Sequence, residues 1–215
     1  MINRCLSLLC IVGSLMFTSA FASELSQQQE ADLLGLQLRW GKVNYAEDSK
    51  TKVIDFVTLA KISDKLSVRY SGLAEFHVWN GIVNSSLAGA KGGLGALKIV
   101  KKARRAFDQA IEIDGDVLNG SAHTSLGVLY YKVPGWPLGF GSDKKAEEHL
   151  QAGLRIAPYS IDANYFMADF LYHQGDKEQA KQYLLRALQA APRPNRPLAD
   201  QGRRTEIKQL LEKMS

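Results

Sequence analysis

Two stretches near the end of the chain repeat each other at a fixed distance. AEEHLQAGLRIAP carries Ala146, Leu150 and Pro158, AKQYLLRALQAAP carries Ala180, Leu184 and Pro192, and both the alanines and the prolines stand 34 residues apart. A period of that length is one helical hairpin, whose apolar face only a stacked neighbour can cover. Small residues at the repeated positions let paired helices approach, and large apolar ones fill the space between them. After residue 25 the apolar residues keep helical spacing, and strand-like alternation is hard to find. The chain is expected to be all-α.

The pattern resembles the tetratricopeptide repeat (TPR), which reads Trp-x2-Leu-Gly-x2-Tyr on one helix, Ala-x3-Phe on the next, then Pro. Its first-helix part appears as His123, Leu126, Gly127 and Tyr130, and again as Asn164, Met167, Ala168 and Leu171. An earlier copy is legible in Trp79, Ile82 and Val83, followed by Ala103, Phe107 and Gly115. The clearest repeats are residues 118–158 and 159–192, with degenerate copies over 25–115. RPNRP, Arg193 to Pro197, breaks the chain before a final helix at about 198–213. The resemblance implies a TPR-like array of about four hairpins in a single domain, 23–215, with a C-terminal capping helix.

The spacing also departs from the pattern. His123 to Ala146 is 23 residues and Trp79 to Ala103 is 24, against 16 from Asn164 to Ala180, so two hairpins carry 7 and 8 extra residues. The extra material is KVPGWPLGFGSDKK, Lys132 to Lys145, and AGAKGGLGA, Ala88 to Ala96. Both segments join the first helix of a hairpin to the second and are expected on one edge of the array. Trp136, Leu138 and Phe140 make that rim apolar, and repeat insertions often gather on a binding face. Either the turn is a wall over a ligand groove, or it tucks its aromatics onto its own hairpin. Ser142 is placed to cap the helix that follows.

The TPR resemblance also implies that first helices line a concave side. The residues it directs there are His77, Asn80 and Asn84; Thr124, Val128 and Tyr131; Tyr165, Asp169 and Tyr172. Aromatic rings mixed with amides and a carboxylate suit a peptide or small organic ligand; equally, they suit a solvated surface between helices. The basic run Lys101 to Arg105 and the pair Arg203, Arg204 read as solvated helix faces. The four histidines lack HxxxH or HExxH spacing, so no metal is expected. GFGSDKK departs from GxxxxGK[ST], and GGLGALK lacks the third glycine of a dinucleotide loop, so no cofactor is expected either. No GxSxG or paired carboxylates argue for catalysis, and the chain reads as non-enzymatic.

Residues 1–22 have a basic start at Arg4, an apolar run from Leu6 to Phe17, and small residues at Ala20 and Ala22. That layout is a secretory signal peptide, shorter than the about 20 apolar residues of a spanning helix. It predicts an exported, periplasmic protein. Both cysteines, Cys5 and Cys10, fall inside it, so the mature chain is expected to have no disulfide and no thiolate site. The formal charge of the whole chain is +5, a mild excess that does not call for a nucleic-acid partner.

From Trp79 to Leu211 the chain also resembles the exported T component associated with TRAP transporters. LG-x2-Y, then PGWP, then a glycine-rich turn opening the next helix carry that likeness. It implies hairpins around a cavity suited to an apolar small ligand, association with a periplasmic substrate-binding protein, and self-association into a homo-oligomer. A looser similarity to intracellular TPR-like regulators of microtubule dynamics conflicts with the export signal. The expected function is therefore an exported, transporter-associated carrier of an apolar ligand. The alternative is a scaffold that binds an extended segment of an envelope protein.

Overall fold

A computed structural model describes residues 24–46 and 50–214. Over those residues the chain runs through α1 (Gln27–Tyr45), α2 (Lys52–Arg69), α3 (Ala74–Lys91), α4 (Gly93–Asp114), α5 (Val117–Lys132), α6 (Asp143–Ile156), α7 (Ile161–His173), α8 (Lys177–Leu188) and α9 (Pro197–Glu212). The expected export signal, 1–22, lies outside the described residues. Among those described, no helix is long and apolar enough to cross a membrane.

Local chemistry sets the helix starts. Ser26 and Gln29 form a reciprocal capping box on α1, and Ser142, Ser160 and Asp176 each accept a backbone N–H at the starts of α6, α7 and α8. Pro197 opens α9, where its missing N–H removes nothing a helix would use.

Helices pack as the sequential pairs α1·α2, α3·α4, α5·α6 and α7·α8. Each first helix also rests on the next, α3 on α5 and α5 on α7, which makes an array of four hairpins with α9 as its cap. The core follows as three connected patches. Leu36, Phe56 and Phe76 anchor the first, Phe107, Leu126 and Leu150 the second, and Leu184 with Ile207 the third.

Close contacts define the register of the hairpins. A Cβ on Gly127 would lie 2.7 Å from Leu150 Cγ, and one on Gly81 would lie 2.4 Å from the Phe107 ring. Gly81 therefore does in α3 what Gly127 does in α5. The first-helix motif of the second hairpin begins at His77, two residues before Trp79, where the sequence pattern had placed it.

The two long hairpins spend their extra residues differently. AGAKGGLGA is not a loop: α3 continues through Lys91 and α4 begins at Gly93, with Gly92 and Gly93, both at φ 62°, as the corner. A left-handed corner of this kind is open to glycine at little steric cost. Within KVPGWPLGFGSDKK, residues 133–142 are a loop, folded so tightly that Gly141 N–H donates to Pro134 O at 3.0 Å and Ser142 N–H to Tyr130 O at 2.8 Å.

Last, α9 does more than cover the end of the stack. It touches α8 and α7 and crosses to α1. Gly202 permits this, since a Cβ there would sit 2.4 Å from the Tyr45 ring. The first and last helices meet, and the array closes into a ring.

Candidate functional site

Ring closure converts the concave side into a partly enclosed cavity of about 320 Å³. Its apolar wall comes from first helices: Trp40 on α1, Trp79 and Ile82 on α3, Val128 on α5 and Phe166 on α7, with Phe107 from α4. Trp40 Nε1 donates to Ser86 Oγ at 2.8 Å, which ties α1 to α3 at the wall. Other hydroxyls around the wall are turned to backbone: Ser85 donates to Gly81 O at 2.8 Å and Ser121 to Leu118 O at 2.5 Å.

A second part of the wall is strained. Leu118, Asn119 and Gly120 stand in succession at φ 50°, 60° and 65°, and the first two line the cavity. Left-handed backbone costs a residue with a Cβ roughly 1–2 kcal/mol. Regular α5 geometry resumes at Ser121, so the kink sets how that helix enters the wall.

The rest of the wall is charged. Arg193 Nη1 and Arg203 Nε donate to the two oxygens of Asp162 at 2.6 and 2.8 Å. Asp200 accepts from Arg193 Nε at 3.2 Å and Arg204 Nε at 2.8 Å, and Arg203 also pairs with Glu206 at 2.5 Å. Tyr45 on α1 donates to the same Glu206 at 3.4 Å, so the network spans the ring junction. Arg203 lies over Tyr165 and Phe166, 4.3 and 4.4 Å from the ring centroids. Burial pushes the Asp162 pKa up, but Arg203 and Arg193 outweigh it and hold the carboxyl at about 2. Burial opposes the charge on Arg203, and Asp162 more than restores it. Burial also pushes the Tyr45 hydroxyl up to about 12.

Four arginines thus meet three carboxylates. Arg196 is the cation left over: it lines the cavity, lies over Trp79 at 5.6 Å, and has no ion pair among the described residues. Burial, then the neighbouring Arg193, lower its pKa, against a smaller opposing pull from Asp162 and Asp200.

Of the residues directed to the concave side by sequence, Thr124 and Val128 line the cavity. Tyr165 stacks under Arg203 behind it. His77, Asn80 and Asn84 are turned to the opposite side and buried: His77 Nε2 is 2.8 Å from Ser71 O, Asn80 Nδ2 donates to Asp64 Oδ1 at 2.7 Å, and Asn84 Nδ2 donates to Asn80 O at 2.8 Å. The two-residue register offset is the cause. Tyr131 donates to Asp169 Oδ2 at 2.7 Å, and Lys132 pairs with the same oxygen at 2.8 Å, away from the cavity. Tyr172 packs half-buried against the last core patch.

The PGWP loop is no wall of this cavity. Phe140 folds back edge-on to Tyr130 and under Arg104, 5.0 Å from its guanidinium carbon, while Trp136 is 90% exposed and Leu138 63%. The loop and the basic run of α4 form a separate shallow groove.

Sequence reasoning missed Asp162, Arg193, Arg196 and Arg203. Arg203 was legible, because it shares the buried stripe of α9 with Ile207 and Leu210 at helical spacing, and it is 8% exposed rather than solvated. A charge in an apolar stripe signals a buried ion pair. His123 and His149 also meet, Nδ1 to Nδ1 at 3.1 Å, between α5 and α6. No group of three or more His, Cys, Asp or Glu among the described residues is placed to hold a metal.

A family model described as tetratricopeptide repeat matches residues 144–201, from α6 into the first turn of α9. No curated protein matches the chain. Helical pairs, caps and this partial match describe a TPR-like helical scaffold with the means to bind partners.

Proposed function

We propose that this chain is an exported, non-catalytic carrier that holds one small ligand with an apolar body in its central cavity. The observation that carries the reading is ring closure: α9 meets α1 and α7, and its Ala199 and Arg203 join the wall of the cavity. An open groove favours a polypeptide, whereas a walled cavity of about 320 Å³ sits at the small end of ligand pockets. Aromatic and aliphatic side chains form one wall, and of the charged groups opposite Arg193 and Arg203 are held by Asp162 while Arg196 is not. Export and a place beside a transport system rest on the signal-like residues 1–22 and on the PGWP resemblance. A periplasmic substrate-binding protein is the proposed partner. The second reading, a scaffold for an envelope protein, draws on Trp136, whose ring is exposed on an ordered loop.

Native and denaturing mass spectrometry of one preparation separate the two. The carrier reading expects a small molecule bound in the native spectrum, released on denaturation and lost in Trp79→Ala. A native complex that holds only a polypeptide, released by Trp136→Ala and not by Trp79→Ala, would overturn it.

A further inference from the structure

The cavity wall carries more positive than negative charge, and the excess is localised. Arg193, Arg203 and Arg204 are all engaged by Asp162, Asp200 and Glu206. Arg196 is not, although its guanidinium is half-buried against Trp79. Asp162 and Asp200 act on it only from beyond ion-pair distance and are each shared by two other arginines, and a partly desolvated cation so placed is unfavourable unless an anion in contact completes it. Trp79 offers only its ring face, and the nearby serines spend their hydrogens on backbone carbonyls.

Two further observations point the same way. Arg196 is the N-cap of α9 and its side chain accepts nothing there, while Ala199 of the first turn lines the cavity as well. The uncapped N–H groups of Leu198 and Ala199 therefore add to the field of the guanidinium, although Asp200 in the same turn offsets part of the positive end of the helix. Beside this positive corner lie Trp40, Trp79 and Phe166, an apolar surface that a bare inorganic anion would leave unused.

We infer that the cavity selects an amphipathic monocarboxylate, whose carboxylate pairs with Arg196 and whose apolar body lies along Trp79 and Phe166. The inference rests on the carrier reading and narrows its ligand to one chemical class. A planar guanidinium presents two parallel N–H donors to a carboxylate and stacks on an aromatic ring at the same time, which lysine does not reproduce.

Octanoate and octanamide are matched probes, nearly identical in size and apolar area and different in charge. Isothermal titration of the chain from residue 24 onward at pH 7.5 is expected to show octanoate binding once per chain and about tenfold or more tighter than octanamide. Arg196→Gln is expected to abolish that preference while octanamide affinity stays the same; Arg196→Lys is expected to keep part of it. Equal affinities for the two probes in the unmodified protein would overturn the inference and leave the carrier reading standing. A preference that survives Arg196→Gln would overturn it too, by placing the anion on another group. Failure of both probes to bind would remove the carrier reading and the inference with it. Should Arg196→Gln not fold by circular dichroism, the unmodified protein and Arg196→Lys still decide the matter.

Discussion

Arg203 is nearly buried, and only its carboxylate partners make that tolerable. Removing one member of such a pair is worse than never having built it, because the other charge stays behind without solvent. Arg203→Met is expected to lower stability by about 3 kcal/mol in urea denaturation. Asp162 adds a pH dependence. Its carboxyl lies at about 2 in the folded protein against an ordinary 3.8, so its contribution is present above the unfolded value and is lost as the pH falls from there toward 2. Since the carboxylate borders the cavity, screening holds that contribution to roughly 1 kcal/mol, and Asp162→Asn should flatten the acid limb of a stability-against-pH curve. Glycines supply a contrast of sign. Gly81→Ala would drive a Cβ into Phe107 and should destabilise by about 1–3 kcal/mol, whereas Gly35, with nothing within 4 Å, should gain about 0.5–1 kcal/mol on the same change.

At the scale of elements, hairpins are matched by contact rather than by sequence position. Periodicity alone located the helix pairs because apolar spacing is local, and the 34-residue repeat fixed how α6 to α8 stack. The α3 register was not legible, since Trp79 imitates the first motif residue and only the Gly81–Phe107 approach distinguishes it from His77. The same limit applies to insertions: glycine-rich AGAKGGLGA reads as a loop, yet Gly92 and Gly93 turn one corner and the rest extends two helices. Cross-helix partners such as His123 and His149 are 26 residues apart and carry no local signal. Burial lowers the pKa of both, and in His149 the adjacent His123 adds to it. Their neutral forms thus stabilise the α5–α6 pair at pH 7, and stability should fall as the pH drops below 6.5, where the unfolded chain takes up protons first. Thermal melts at pH 7.5 and 5.5 test this, and His149→Phe, which keeps a ring against Tyr130, should narrow the difference between them.

For the whole molecule, the junction of α9 with α1 decides whether the concave side is a groove or a cavity. The candidate site was legible in the sequence only where it coincides with repeat positions, as at Thr124 and Val128. Asp162 stands one turn before Phe166 on α7, but Arg193 and Arg196 reach the site because the chain returns across the ring, a long-range event no periodicity encodes. The junction is built from small residues: Gly41 faces Ala199, and Gly202 faces Tyr45. A Cβ on Gly41 would stand 3.8 Å from Ala199 Cβ, the separation typical of a disulfide. The most direct measurement is therefore to oxidise the double variant Gly41→Cys, Ala199→Cys in a chain starting at residue 24, which has no other cysteine. A closed ring predicts a quantitative intramolecular disulfide, seen as a loss of two hydrogens in the intact monomer mass, with the helical circular dichroism unchanged. Free thiols, or bonds formed only between chains, would show that the ends do not meet and that the concave side is an open groove.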